Sequence, residues 1–302
     1  MIRVLVIDDD RLQVRLLQAH FKNFRHGAYS LDWSETYEDG LAQLLTGAYS
    51  ACLLDFRLGD RDGLQLIREA TERGCRTPIV FLTAEASENV DIQAMEAGAL
   101  DYLVKGEINP RSLERSLRYA LKLGESLEAL RKLATRDELT GLLNRREFDR
   151  IMAEEEERAR RFGQPLSLVV IDLDLFKSIN DRHGHAVGDA VLKEAAARMA
   201  ESIRTVDRAA RIGGEEFALI LVQTDRASAL EVARRAISSV AKGEVKTGAL
   251  SIAVTASAGV ATLPSDALTA ADLFAVADKA LYSAKGAGRN RAVPAGEAKG
   301  GS

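Results

Sequence analysis

This chain has little of what would tether it from outside or anchor it elsewhere. Its 302 residues include two cysteines, Cys52 and Cys75. They sit in apolar or loop contexts without metal-ligand spacing, which excludes a disulfide scaffold and reads as reduced thiols in a cytoplasm. No apolar run approaches the roughly 20 residues needed to span a bilayer. The first residues are a short apolar run ending in three aspartates, a strand rather than a secretory signal. Excess positive charge is also missing. The formal net charge is −4, so no overall basic field favours nucleic acid or an anionic membrane. The expectation is a soluble, cytoplasmic protein with neither as a partner.

What is present is enough apolar material, 46% of residues, for two cores, and the length suggests two domains. In the first, residues 1–122, short continuous apolar runs (Val4–Ile7, Ala51–Leu54, Ile79–Leu82, Tyr102–Val104) alternate with helical patterns such as Leu12 to Phe24 and Leu64 to Arg73. Strands buried on both faces and separated by helices predict an α/β domain with a doubly wound, parallel five-stranded sheet. The functional crevice of such a sheet lies at the carboxyl ends of its strands. Asp8, Asp9, Asp55, Thr83 and Lys105 fall at those ends. Crowded carboxylates repel unless a hard cation such as Mg²⁺ joins them. With the cation in place, one carboxylate can attack phosphorus while the lysine and hydroxyl hold the new phosphoryl oxygens. The plainer alternative is five scattered loop residues.

Asn109-Pro110 predicts a helix start, and residues 111–136 continue as a connecting helix that overlaps the first domain's last helix. Leu113, Leu117 and Leu121 recur every four residues and are expected to pack on that domain. From Ala120 the spacing becomes Ala120, Leu123, Leu127, Leu130, Ala134, a seam suited to pairing with a second copy. It is only about two heptads long and interrupted by Gly124, so a monomeric spacer helix is the alternative.

The second domain, residues 137–294, is expected to be α+β, a mainly antiparallel sheet flanked by helices. Its centre is Arg211-Ile-Gly-Gly-Glu-Glu-Phe217. This reads as two strands joined by a Gly-Gly turn that lets backbone approach a charged ligand closely. An ordinary hairpin with a solvated acidic turn is the alternative. Asp172 closes another apolar strand, and Glu215 stands just past the turn beside it. Together they could hold Mg²⁺ with its triphosphate. Asn180 and Asp189 offer the amide and carboxylate that read guanine. Lys177 and the backbone around Phe176 could hold phosphates. His183 and His185 read as structural, Glu154–Glu157 as a solvated helix face, and 295–302 as a disordered tail.

The first domain resembles the receiver domain of two-component response regulators. That resemblance implies that Asp55 accepts a phosphoryl group, that Asp8 and Asp9 complete the metal pocket, and that Thr83, Lys105 and Tyr102 form the switch. It also implies a cognate histidine kinase. Gly106 replaces the proline that many receivers carry after the lysine, which leaves the cis or trans state of that bond open. The second domain is similar to the GGDEF domain of diguanylate cyclases, in GGEEF form, from Asp137-x-Leu-Thr-Gly-Leu-x-Asn-Arg-Arg146 to Tyr282-x-Ala-Lys-x-x-Gly-Arg-Asn290. The resemblance implies a nucleotide-cyclase or polymerase-palm-like fold and condensation of two GTP into cyclic di-GMP and two pyrophosphates by a homodimer, with Mg²⁺ or Mn²⁺. It implies Asp172 and Glu215 as metal ligands and Glu216 as the catalytic acid of the signature, either base or further ligand. Asn180 and Asp189 then read guanine, and Lys177, Lys285 and Arg289 contact phosphates. Arg204-x-x-Asp207 matches a product-inhibition motif, joined by Arg234 or Arg235. A helix-end salt bridge is the plainer reading of that pair. A module that only binds the nucleotide is the competing function. A DNA-binding regulator lacks its basic recognition helix.

Overall fold

The continuous apolar runs become the central strands of two separate sheets. The computed structural model describes residues 1–84, 88–248 and 250–296, the side chains of 88–91 excepted. Two compact units divide the chain, 1–131 and 132–302.

In the first unit the order is β1 (Ile2–Ile7), α1 (Arg11–Phe21), β2 (Tyr29–Ser34), α2 (Tyr37–Leu45), β3 (Ala51–Asp55), a small hairpin of β4 (Arg57–Leu58) and β5 (Arg61–Asp62), α3 (Gly63–Glu72), β6 (Ile79–Thr83), α4 (Glu88–Ala97), β7 (Asp101–Val104) and α5 (Pro110–Thr135). The expected parallel sheet is borne out, in the order β2-β1-β3-β6-β7. Alternate residues of each strand feed two apolar layers. Leu5, Ile7, Leu54 and Phe81 face α2, α3 and α4. Val4, Val6, Leu53 and Val80 face α1 and α5. Asp10, Thr36 and Asp62 cap α1, α2 and α3 with side-chain oxygens on first-turn amides. The chain crosses over on either side of β1 and β3, so their carboxyl ends frame the crevice.

The connecting helix corrects one expectation. Ala120 is fully buried with Leu113 and Leu117 in the first unit's core, so it is no part of a pairing seam. The exposed large apolar side chains of α5 are Tyr119, Leu123, Leu127, Leu130 and Leu133, and Ala134 of the expected seam is exposed as well. Gly124 also has a packing reason. A Cβ there would lie 2.5 Å from Pro78 Cγ, so the small residue lets the helix pass close to the loop before β6.

The second unit runs α6 (Arg145–Phe162), β8 (Leu166–Leu173), α7 (Phe176–His183), α8 (His185–Ala200), β9 (Arg208–Arg211), β10 (Glu216–Val222), α9 (Arg226–Ala241), β11 (Val245–Thr247), β12 (Leu250–Ile252), β13 (Ala256–Leu263), α10 (Ala270–Gly286) and β14 (Ala292–Pro294). Its main sheet, β14-β13-β8-β10-β9, is antiparallel except for the β13–β14 edge. The central strand β8 is buried along its whole length. One apolar layer lies under α7, α8 and α9, the other under α6 and α10. The apolar stretch 250–263 forms two strands, β12 pairing with β11 and β13 with β8. Gly184, at φ 84°, separates α7 from α8, so His183 and His185 end and begin helices rather than flanking a loop. Ala295 is buried and its amide donates to the Val260 carbonyl at 2.7 Å. It therefore belongs to the folded unit and not to a loose tail. Residues 297–302 of that expected tail lie outside the described residues.

Candidate active site

The sheet ends collect the predicted residues into one constellation in each unit. In the first, Asp8 lies immediately beyond β1, and Asp55 closes β3. Lys105 follows β7, and its Nζ lies 2.9 Å from both Asp8 Oδ2 and Asp55 Oδ1. One oxygen from each of Asp8, Asp9 and Asp55 fits within 4.8 Å of the others. Burial pushes the Asp55 carboxyl up to about 6, against the opposing hydrogen bond from Lys105 and with the neighbouring charge of Asp8 adding to the rise. Asp8 is raised mainly by burial as well. Lys105 is raised too: burial would lower it, but the Asp55 and Asp8 carboxylates outweigh that. Two buried carboxylates that resist ionising beside a single lysine lack positive charge, and a hard divalent cation fits that donor set. Thr83 is buried at the end of β6, and Tyr102 is partly buried on β7. Asp9 holds the loop after Asp55 by accepting from the Gly59 amide at 2.9 Å. Gly63 is required beneath it, since a Cβ would meet the Asp55 carbonyl at 2.2 Å. The cis peptide bond among the described residues is Leu263–Pro264, so Lys105–Gly106 is trans.

In the second unit Asp172 sits near the end of β8, directly opposite Glu216 of β10, and the Leu173 amide donates to the Glu215 carbonyl at 3.2 Å. Register thus brings Asp172, Glu215 and Glu216 to one rim. Lys285 of α10 reaches the same point, its Nζ 2.8 Å from Asp172 Oδ2. Asp172 is raised by burial, with Lys285 opposing. Glu215 is raised by burial and then by the charge of Asp172. Two carboxylates raised mainly by burial at a shared rim, one of them also by the charge of the other, suit a divalent cation carrying a triphosphate.

Beside them, Leu175 takes a left-handed conformation, φ 58°, as the residue before α7. That sharp bend turns the chain from β8 directly into the helix. Phe176 is buried there, and Lys177 is exposed one residue on. At the junction of α7 and α8, Asn180 Oδ1 is buried without a hydrogen-bond partner. Gly188 leaves it room, because a Cβ there would lie 1.9 Å from that oxygen. Asp189 is exposed on the next residue of α8. An unpaired buried acceptor beside an exposed carboxylate matches the N–H edge of guanine.

Three parts of the arrangement were not anticipated. Arg211 clamps the Gly-Gly turn by donating to the Gly214 carbonyl at 2.7 and 3.1 Å, and its other nitrogen bridges both oxygens of Asp137 at 3.1 and 3.2 Å. Hydrogen bonds from Thr140 and Arg211 hold the Asp137 carboxyl below its usual range, although burial acts the other way. The second is Gly188, and the third is Asp174, a buried carboxylate next to Leu175. An arginine heading the turn and an aspartate opening the domain were visible in sequence, but nothing local pairs residues 74 positions apart.

The RxxD pair is bonded to itself. Arg204 contacts Asp207, the Thr224 hydroxyl at 2.6 Å and the Val222 carbonyl at 3.3 Å. Asp207 is buried and also accepts from the Arg204 and Val222 amides. This is the salt bridge of the plainer reading, with the Arg204 side chain still more than half exposed. Arg235 donates to the Ser202 carbonyl at 2.7 and 3.1 Å, next to this turn, while Arg234 pairs with Glu231 on its own helix. The arginine beside the motif is therefore Arg235. A cavity of about 390 Å³ lined by Arg158, Arg204, Val206 and Arg208 opens there.

Residues 134–291 match the family described as diguanylate cyclase, GGDEF domain, and residues 4–118 match the response regulator receiver domain. The response regulator PleD of Caulobacter vibrioides is 32% identical across 96% of this chain and 65% of its own length. The coiled coil and GGDEF domain of DgcB from Caulobacter crescentus, solved in complex with c-di-GMP, superpose with a TM-score of 0.56 at 32% identity. They cover 61% of this chain and 98% of that one. The diguanylate cyclase SiaD from Pseudomonas aeruginosa, solved with its activator SiaC, gives a TM-score of 0.53 at 40% identity, over 61% of this chain and 72% of that one.

Proposed function

This chain belongs to the GGDEF family, with a response regulator receiver domain ahead of the GGDEF domain, and from that premise we propose that it condenses two GTP into cyclic di-GMP and two pyrophosphates under receiver control. The observation that carries the reading is the meeting of Asp172, Glu215, Glu216 and Lys285 at one strand rim, beside a guanine-shaped pair of acceptors. A degenerate, purely binding module would have no use for that full acidic set. Asp172 and Glu215 would hold Mg²⁺ or Mn²⁺, which when bound supplies Lewis acidity toward the triphosphate oxygens.

The chain's own groups do the rest. Asn180 and Asp189 take the guanine edge. Lys177, Lys285, Arg289 and the amides around Phe176 take phosphate charge and hold the α-phosphorus in place. Glu216 accepts the proton of the attacking 3′-hydroxyl, the oxygen bonds the α-phosphorus, and pyrophosphate departs. One domain holds one GTP, so two copies must face each other. The exposed Leu123, Leu127 and Leu130 of α5 suit that homodimer.

A histidine kinase is the phosphoryl donor to Asp55, with Asp8, Asp9 and Asp55 holding the metal. Thr83, Lys105 and Tyr102 read the phosphoryl group, whose charge of about −1.5 to −2 shifts dimer assembly or arrangement and raises output. Cyclic di-GMP inhibits at Arg204 and Asp207 with Arg235. Binding there needs Arg204 to leave part of its present bonding. The setting is the cytoplasm. Among the described residues no helix is long and apolar enough to cross a membrane.

The test follows pyrophosphate and nucleotide together. Two pyrophosphates per cyclic di-GMP are expected. Beryllofluoride should raise the rate in wild type and not in Asp55→Asn, and Arg204→Ala should relieve inhibition by added product. GDP as the main product would overturn the reading.

A further inference from the structure

Asp174 belongs to none of the roles assigned above, yet it joins three elements of the site. It lies just past β8 and is 6% exposed. Its Oδ1 accepts from the Ser257 hydroxyl at 2.7 Å. Its Oδ2 accepts from the Thr255 hydroxyl at 2.7 Å and the Asn290 amide at 3.1 Å. Ser257 is on β13 and Thr255 immediately precedes it. Asn290 is in the segment that leaves α10. That segment is strained. Gly288, Arg289 and Asn290 have φ of 109°, 60° and 46°; asparagine tolerates the left-handed region, but arginine avoids it. A side chain held at a bend of this kind points where the bend sends it. With the chain so bent, the Asn290 backbone amide meets Asp174.

We infer that Asp174 is a positioning residue, whose carboxylate fixes the Gly288–Asn290 bend and so aims the Arg289 guanidinium at the phosphate side of the Asp172 rim. The inference rests on the cyclase reading and deepens it. The electrostatics agree with the placement, because the Arg289 charge reaches Asp172 and favours its ionised form. Asp174 itself is buried. Its oxygens are occupied by two hydroxyls and an amide, which distinguishes it from Asp172 two residues earlier. Hydrogen bonding, rather than charge, is what the bend requires. Asparagine can meet the same need, its oxygen accepting from Asn290 and Thr255 while its NH₂ faces the Ser257 oxygen.

The test is binding of a GTP analogue with a carbon bridge between the α- and β-phosphorus atoms, in Mg²⁺, to the full chain, with thermal unfolding as the control for folding. Asp174→Ala is expected to weaken binding about tenfold, a difference on the scale of one strong contact. Asp174→Asn should bind within about threefold of wild type. Arg289→Ala should weaken binding like Asp174→Ala, and the double variant should be no weaker than Arg289→Ala alone, since coupled groups are not additive. If Asp174→Ala does not fold, the pair Thr255→Val with Ser257→Ala releases the same carboxylate and should weaken binding in wild type but not in Arg289→Ala. Folded Asp174→Asn that binds as poorly as the alanine variant would make the charge itself essential and overturn the inference. So would independent, multiplying losses for Asp174 and Arg289. A wild-type chain that binds no analogue overturns the cyclase reading and this inference with it.

Discussion

Replacing Gly188 by alanine should separate base recognition from folding. The added Cβ would lie 1.9 Å from Asn180 Oδ1, 3.0 Å from its Cγ and 3.2 Å from Phe176 Cζ. Phe176 is buried against the core and cannot yield far, so the Asn180 amide must leave its present orientation. The helix does not suffer, because alanine in α8 is favoured over glycine by up to about 1 kcal/mol. What is lost is the present placement of the Asn180 acceptor proposed to read the base. One or two hydrogen bonds at about 0.5–1.5 kcal/mol each amount to about 0.5–3 kcal/mol, or roughly 2- to 150-fold in affinity. The assay compares GTP with ITP, which lacks the 2-amino group, and with ATP, by competition against the bridged GTP analogue. Wild type should prefer GTP, and Gly188→Ala should bind all three weakly and nearly alike. Thermal stability should stay close to wild type. A variant that keeps the full preference for GTP would show that Asn180 does not read the base from this position.

Asp137→Asn tests the clamp on the turn. The Asp137 carboxyl is held below its usual value in the folded chain, so its contribution is present above pH 4 and lost as the pH falls through the folded value. The variant should be less stable than wild type by about 1–2 kcal/mol at pH 7, and the gap should narrow as the pH falls below 4, as denaturant titrations across that range would show. Gly124→Ala, favourable in an ordinary helix, should instead be neutral or destabilising by up to about 2 kcal/mol, because of the 2.5 Å approach to Pro78; a gain in urea midpoint would contradict that packing. Lys285→Met removes the cation 2.8 Å from Asp172 and should weaken GTP analogue binding by about tenfold or more, measured by calorimetry. Unchanged affinity would take Lys285 out of the site.

Much of this architecture could be read from the chain because its signals are local. Apolar runs of three or four residues followed by Asp8, Asp55, Thr83 or Lys105 state both a buried strand and what stands at its end. The Gly-Gly turn likewise fixes where Glu215 and Glu216 fall relative to β10. Pairing across long distances was not legible. Asp137 meets Arg211, and Asp174 meets Asn290, only because strands and a helix end are brought together by the finished sheet. Ala120 misled because the same small apolar residue fits a pairing seam and a core, and only the packing of α5 on the first unit decides. Gly188 gave no signal, since the need for glycine comes from an amide eight residues earlier that turns back onto it. The self-bonded Arg204 and Asp207 show the other limit. A motif specifies donors and acceptors, but the neighbours at Val222 and Thr224 determine how they are spent in the free chain.

The most direct test of the central claim is chromatographic separation of the products formed from GTP and Mg²⁺ by wild type and Glu216→Gln, each stripped of bound nucleotide and treated with beryllofluoride. Cyclic di-GMP formed by wild type, and reduced at least about 100-fold in the variant, is the predicted result. Equal turnover by both proteins, or no cyclic di-GMP from wild type, would contradict the account.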